Sequence, residues 1–138
     1  MNDFNDQVIA EFRANEGQVT TGGFGTNLVL LHTVGARSGV ERVNPLFAIR
    51  SGEDWFIFAS KGGAPDNPQW YFNLRKNPDA TIETGKELVA VTATELTGAE
   101  REDIWTQAVA VSPGFADYQV RAGERIIPVL RLRRRTSG

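Results

Sequence analysis

The chain has 138 residues, with 15 Lys+Arg against 17 Asp+Glu, one histidine and no cysteine. That length is enough for one domain with one core, and the near-balanced charge removes the electrostatic case for nucleic acid. The lack of cysteine excludes disulfides, thiolate metal sites and cysteine nucleophiles, and it fits a reducing cytoplasm. No apolar run approaches the roughly 20 residues of a membrane span. The opening "MNDFNDQVIAEF" lacks the basic-then-apolar order of a signal peptide.

Residues 3–15 read as an amphipathic helix, with Phe4, Val8, Ile9 and Phe12 on one face and Gly17 as its stop. The expectation is a helix packed on the core. A lid or a membrane-surface segment is the alternative, weakened by acids on the polar face. "TTGGFGTN" (Thr20–Asn27) lacks the lysine of a P-loop and the third glycine of a dinucleotide fingerprint. It also leads into a strand, so it reads as a linker. The expected organisation is an N-terminal helix and linker over 1–26 and a single domain over 27–138.

"NLVLLHTVG" is apolar at both parities and reads as a buried strand, with His32 in a structural role. "ARSGVER" is a turn that places Gly39 at positive φ. "VNPLFAIR" is the second strand, and Pro45 near its start marks an edge or a bulge. "SGED" turns the chain into a third strand, "WFIFAS". "NPQWYFNLRKNP" is a helix with Asn67 as N-cap, Pro68 at the first helical position and Pro78 as its limit. "ATIET", a "GK" turn and "LVAVTATEL" form a hairpin. "TGAE" opens a helix through a Thr97–Glu100 capping box, with Ile104, Ala108 and Val111 as its core stripe and Pro113 as its end. "RIIPVLRL" is the last strand, placed at an edge by Pro128. "RLRRR" (Arg131–Arg135) reads as a solvated charged tail, or as an attractor for an acidic cofactor tail or an anionic membrane.

The order is helix, three strands, helix, two strands, helix, strand. The turns between the early strands are too short for parallel crossovers. The fold class is therefore α+β, a mostly antiparallel sheet curled into a small barrel with flanking helices.

Two segments carry candidate chemistry. In "ASKGGAPDNPQWYFNLRKNP", Ser60 offers a hydroxyl, Lys61 a cation, and Gly62 and Gly63 leave backbone amides open to close approach. The helix that follows sets Trp70 and Leu74 on one stripe and Tyr71 and Arg75 on another. Amide donors, a cation and an aromatic wall suit a planar ring with an anionic tail. The bland alternative is a solvated lysine in a glycine turn with Trp70 in the core. In "GARSGVERVNP", Arg37, Ser38 and Arg42 surround Gly39, a set suited to phosphate. No Ser-His-Asp signature, carboxylate pair or metal-ligand cluster stands out, so a cofactor that carries the chemistry itself is favoured.

These residues resemble the deazaflavin-dependent nitroreductase family, small split-barrel proteins that use coenzyme F420. The resemblance runs from about Leu28 to Leu132. It rests on "TVGARSGVERVNPL", on "ASKGGAPDNPQWYFNLRKNP", and on "DYQ" followed by "RIIPV". It implies an FMN-binding split-barrel-like fold and an oxidoreductase that passes hydride from reduced F420 to a quinone-like or nitro-aromatic acceptor. It implies that Arg37, Ser38, Gly39 and Arg42 hold the phosphate and acidic tail. Asn44 and Pro45 match positions near the ring, and Ala59, Ser60, Lys61, Gly62 and Gly63 match the segment that contacts it. Trp70, Tyr71 and Asn73 match the helix that closes the pocket. Ser60 and Tyr118 are the implied donors to the acceptor, with Phe115 and Tyr118 facing the substrate. Ala36 departs from a common basic position. Ser112 and Phe115 stand where nitroreducing members carry tyrosines, which places quinones ahead of bicyclic nitroimidazoles.

Two other readings remain open from the sequence: a non-catalytic F420- or lipid-binding barrel, and a split barrel using FMN. A monomer or homodimer is expected, cytoplasmic, with peripheral membrane contact as an option.

Overall fold

The computed structural model describes residues 3–19, 27–36, 38–60, 66–85 and 87–135, with side chains from Asp6 onward. Among them the elements run α1 (Asp3–Ala14), β1 (Leu28–Val34), β2 (Glu41–Ser51), β3 (Asp54–Phe58), α2 (Gln69–Lys76), β4 (Asp79–Glu83), β5 (Leu88–Glu95), α3 (Gly98–Val111), α4 (Gly114–Ala122) and β6 (Val129–Arg134). All strand pairs are antiparallel, and the sheet closes as β1-β2-β3-β6-β5-β4 with β4 back on β1. This is the expected barrel with flanking helices. No helix among the described residues is long and apolar enough to cross a membrane.

Alternation along the strands builds the core. Val29 and Leu31 of β1, Ala48 of β2, Trp55 and Ile57 of β3, Ile82 of β4, Val89 and Val91 of β5, and Leu130 and Leu132 of β6 form one interior cluster. Trp70, Tyr71 and Leu74 of α2 join it, so this helix does more than lie on the outside. The opposite parity is apolar as well. Leu28 and Leu30 pack beneath Val8 and Phe12 of α1, with Ile9 at the margin. Ile49, Phe56, Phe58 and Val129 pack with Leu96, with Ile104 and Ala108 of α3, and with Phe115 of α4. Burial of large apolar side chains on both faces, about 1.5–3 kcal/mol each, is what holds the helices to the wall.

α1 ends as expected at Gly17, whose φ is +94° and whose N–H donates to Phe12 O at 2.8 Å. The Phe4 side chain, residues 20–26 of the expected linker and Lys86 of the "GK" turn lie outside the described residues. Pro45 stands opposite Leu30 of β1, where β2 extends beyond its pairing with β3, so that stretch is a local edge.

Several expectations need correction. The chain between Val111 and β6 holds a further helix, α4. Its missing signature is the short spacer: Ser112 and Pro113 separate two helices that read as one helix and its terminator. β6 begins after Pro128 and pairs with both β3 and β5, so it is not an edge, and Arg125–Ile127 are not strand. Helix α2 begins at Gln69 with Pro68 at the cap position and no side-chain cap. Asn67 Oδ1 instead accepts from Arg125. Thr97 occupies the N-cap of α3 without a side-chain bond, and the Glu100 carboxylate reaches across to Arg131 at 3.3 Å, so the capping box does not form. Val111 is 51% exposed, outside the stripe of Ile104 and Ala108.

The "RLRRR" run is not a solvated tail. Arg131, Arg133 and Arg134 belong to β6 and meet Glu100, Asp54 and Glu87, and Arg135 meets Asp79 at 3.6 Å. Alternation puts Leu130 and Leu132 inside and Arg131 and Arg133 on the outer wall, while Arg134 keeps the inward parity at the end of β6, 5.8 Å over the Trp55 ring.

His32 is structural, as expected. Its Nε2 lies 2.7 Å from Glu83 Oε2 and its Nδ1 3.4 Å from Glu41 Oε1. Glu83 also takes two bonds from Arg13, at 3.1 and 2.7 Å, which tie α1 to β4. The Arg13 bonds hold the Glu83 carboxyl below the usual range; burial opposes them and His32 adds to them. A depressed carboxylate contributes stability above its unfolded value and loses it as pH falls through the folded one. Glu83→Gln should therefore cost about 1–2 kcal/mol at neutral pH. The gap in melting temperature from the parent should narrow as pH drops below about 4.3. A gap that stays constant with pH would show that the Glu83 charge does not hold α1.

Candidate active site

The turn from β1 to β2 is a compact loop. Gly35 N–H donates to Val40 O at 2.8 Å and Gly39 N–H to Gly35 O at 3.0 Å. Gly39 sits at φ +70°, a conformation that favours glycine. At Gly35 the constraint is space, since a Cβ there would stand 2.4 Å from Ser38 Oγ. That hydroxyl accepts from Val40 N–H at 3.2 Å.

Helix α2 holds this turn in place. Asn73 is 2% exposed and uses both ends of its amide. Its Oδ1 accepts from Ala36 N–H at 2.9 Å and from Gln69 Nε2 at 3.2 Å, and its Nδ2 donates to Thr33 Oγ1 at 3.2 Å. One turn on, Lys76 Nζ donates to Ala36 O at 2.6 Å. Trp70, Tyr71 and Leu74 anchor the other side of the helix in the barrel. The Tyr71 hydroxyl donates to Glu95 Oε1 at 2.6 Å, and burial together with that bond pushes its pKa up to about 12. Tyr71 therefore keeps its proton. Arg75 lies over its ring at 5.8 Å.

Between turn and helix lies a groove of about 630 Å³, lined by Gly35, Ala36, Ser38, Arg42, Gln69, Phe72 and Asn73. A second hollow of about 490 Å³ shares the turn and adds Val34, Gly39, Lys76 and Asn77. Among the described residues, Arg42 is the cation of the first wall and Lys76 that of the second, and no carboxylate lines either. Phe72, 41% exposed, gives the groove an aromatic surface. Such a donor set suits an anionic ligand with an apolar, ring-like portion.

A second group of candidate residues stands at the end of β3. Ala59 N–H donates to Pro128 O at 3.0 Å, while Ala59 O and Ser60 O accept from Arg125 at 3.0 and 2.8 Å. Asn44 shares the inward parity of Leu46 and Ala48, and Pro45 the outward parity of Phe47. A third group is aromatic. Phe115 is 4% exposed and touches Phe47, Phe58, Trp105 and Tyr118, with ring centroids 5.0–5.9 Å apart. Tyr118 is half-buried at the margin, with Arg121 5.9 Å over its ring.

The structure thus brings Ser38, Gly39, Arg42 and Asn73 together around the turn. Ala59 and Ser60 lie at the β3 end, Phe115 and Tyr118 lie on the outer wall, and Trp70 and Tyr71 lie in the core. Arg37, Lys61, Gly62 and Gly63 lie outside the described residues. Sequence reasoning passed over Gln69, Phe72 and Lys76, although helical spacing from Asn73 puts Gln69 and Lys76 one turn away on either side. It also gave no role to Arg125, for which no local pattern exists.

The profile of the family described as F420H(2)-dependent quinone reductase matches residues 6–133. An F420H(2)-dependent quinone reductase of Mycobacterium tuberculosis (strain H37Rv) is 39% identical over 111 residues, covering 78% of this chain and 73% of that protein. The solved structure of an F420-H2 dependent reductase (FDR-A) aligns with TM-score 0.70 and 40% identity, over 77% of this chain and 93% of that one. A structure described as a domain-swapped dimer aligns with TM-score 0.72 and 35% identity, over 92% of this chain and 96% of that one.

The Asn73 clamp is directly testable. Asn73→Ala leaves Ala36 N–H and Thr33 without partners, at a cost of about 1–3 kcal/mol. Amide exchange at Gly35, Ala36, Gly39 and Val40 should accelerate more than in β5. Equal acceleration everywhere would assign Asn73 to general stability.

Proposed function

The chain belongs to the F420H(2)-dependent quinone reductase family, and from that premise we propose how its own residues divide the work of this F420-dependent oxidoreductase. The observation that carries the reading is the two hollows that share the β1–β2 turn, with Arg42 in the wall of one, Lys76 in the wall of the other, and no carboxylate among the described residues that line them. These residues fit the coenzyme's phosphate and acidic tail. The Ser38 hydroxyl adds a donor, since the N–H groups of Gly35, Ala36, Gly39 and Val40 are used within the protein, and Arg37 joins by the motif. Asn73 keeps the turn and helix at a fixed separation, so the donors need little reorganisation when an anion arrives. Trp70 and Tyr71 act from the core by fixing α2.

When bound and reduced, the coenzyme supplies a hydride, and a quinone that takes it with one proton becomes a hydroquinone. The chain's part is to hold, orient and donate. Asn44, Pro45, Ala59 and Ser60 border the ring, joined by Lys61, Gly62 and Gly63 of the motif. The hydroxyls of Ser60 and Tyr118 serve as donors to the acceptor oxygen, where negative charge develops. Phe115 is enclosed by other rings, so it supports Tyr118 and does not itself stack on substrate. Quinones are the acceptor class, with nitro-aromatics as slower substrates. The apolar face of α1 is occupied by the barrel, so we assign it no membrane role. The likeness to a domain-swapped dimer supports a homodimer.

Two variants test this assignment. Arg42→Ala should weaken F420 binding about 5- to 30-fold at low salt, as loss of one charge-assisted contact does. The loss should shrink at high salt, where surface charge is screened. Fluorescence titration at two ionic strengths reads both, and unchanged affinity would remove Arg42 from the site. Tyr118→Phe should lower kcat for a soluble quinone such as menadione about 10-fold or more while leaving F420 affinity in place. Equal loss of both would assign Tyr118 to packing.

A further inference from the structure

Arg125 follows α4 and lines neither hollow beside the β1–β2 turn. Its guanidinium nevertheless gathers the segments from which the site is built. Nη1 donates to Ala59 O at 3.0 Å and to Asn67 Oδ1, and Nη2 donates to Ser60 O at 2.8 Å. Ala59 and Ser60 close β3, and Asn67 leads into α2 at Gln69. One planar fork therefore ties the end of a strand to the start of the helix that carries Gln69, Asn73 and Lys76. Lysine cannot reproduce this, because a single ammonium on a flexible stem does not span three acceptors with fixed directions.

The arginine is itself held. Gln119 of α4 donates from Nε2 to Arg125 O at 2.7 Å and accepts from Ile127 N–H at 3.1 Å through Oε1. Both ends of the amide are used on the backbone that bears Arg125. β6 continues from there, paired with β3 from Phe58 opposite Val129. The chain of support runs from α4 through Gln119 to Arg125, and from Arg125 to Ser60 and Asn67.

We propose that Arg125 is a positioning residue for the coenzyme and acceptor site, fixing the Ser60 backbone and the start of α2, with Gln119 fixing Arg125. The inference rests on the coenzyme reading above. Arg125 need not touch the ligand. It sets where the Ser60 hydroxyl and the α2 face stand before the ligand arrives, so its loss should appear as weaker binding and slower turnover in a protein that remains folded.

The test uses the full chain with Arg125→Lys and Gln119→Leu. It measures F420 affinity by fluorescence, kcat and KM with menadione, the melting temperature without coenzyme, and amide exchange by peptide. For Arg125→Lys we expect a melting temperature within a few degrees of the parent and a Kd for F420 raised about 10-fold or more. Exchange should rise in peptides covering the end of β3 and Asn67–Lys76, while β1, β4 and β5 stay protected. Gln119→Leu should give the same pattern more weakly, and the double variant should be no worse than Arg125→Lys alone. Parental Kd and kcat in Arg125→Lys would overturn the proposal, as would exchange rising evenly across the barrel. Failure of the parent protein to bind F420 would overturn the coenzyme reading and this inference together, and that outcome is separable because the parent is titrated first.

Discussion

Because β1, β2 and β3 carry apolar side chains at both parities, the barrel cannot leave its outer wall in water, and covering that wall decides where the helices go. Leu28 and Leu30 require α1, and Ile49, Phe56 and Phe58 require α3 and α4. β4 carries Thr81 and Glu83 at its outer parity, and it meets α1 through the charged Arg13–Glu83 pair in place of apolar packing. β6 carries arginines there and meets carboxylates instead. The helices are therefore distributed unevenly. α2 is the exception, because its apolar side chains belong to the interior cluster, and its polar side is left to face the β1–β2 turn.

That arrangement creates the site. A helix anchored by Trp70, Tyr71 and Leu74 has fixed rotation, so Asn73 and Lys76 have fixed aim. Asn73 is buried and must satisfy both ends of its amide, since an unmet polar group at that depth costs about 1–3 kcal/mol. It does so by reaching Ala36 and Thr33 across the gap. The apolar core sets the helix and the buried amide sets the turn. Arg125 applies the same logic at the other end, with backbone carbonyls as its acceptors.

The legible part of the fold was whatever local pattern encodes. Turn residues separated the strands, Gly39 was expected at positive φ and stands there, and a two-sided apolar run identified β1 as buried. The illegible part depended on distant partners. Asn67 is a good N-cap by type, yet its side chain is taken by Arg125. Glu100 has capping-box spacing, yet Arg131 claims it. A run of arginines reads as a tail unless the alternation of Leu130 and Leu132 between them is given weight. At the site, the motif located the turn and the helix but not the division of labour along the helix. Whether a side chain on α2 faces core or groove follows from the barrel's closure, which no local spacing states.

Charge shows the same dependence on placement. A net charge near −2 argues against any strongly basic surface. The arginines of α1 and β6 agree with that reading, because Arg13, Arg133 and Arg134 each meet a carboxylate. Arg42 and Lys76 differ, because the described residues of the hollow that each one lines include no carboxylate. A cation in a concave wall of low polarizability acts on an anion more strongly than the same cation on an open surface. A protein that is acidic overall can thus still offer an anion a local surface that suits it, at hollows whose described lining holds a cation and no carboxylate. The ion pairs of β6 and α1 thereby do more than brace the wall, since they remove their arginines as rivals of Arg42 and Lys76 for an anion.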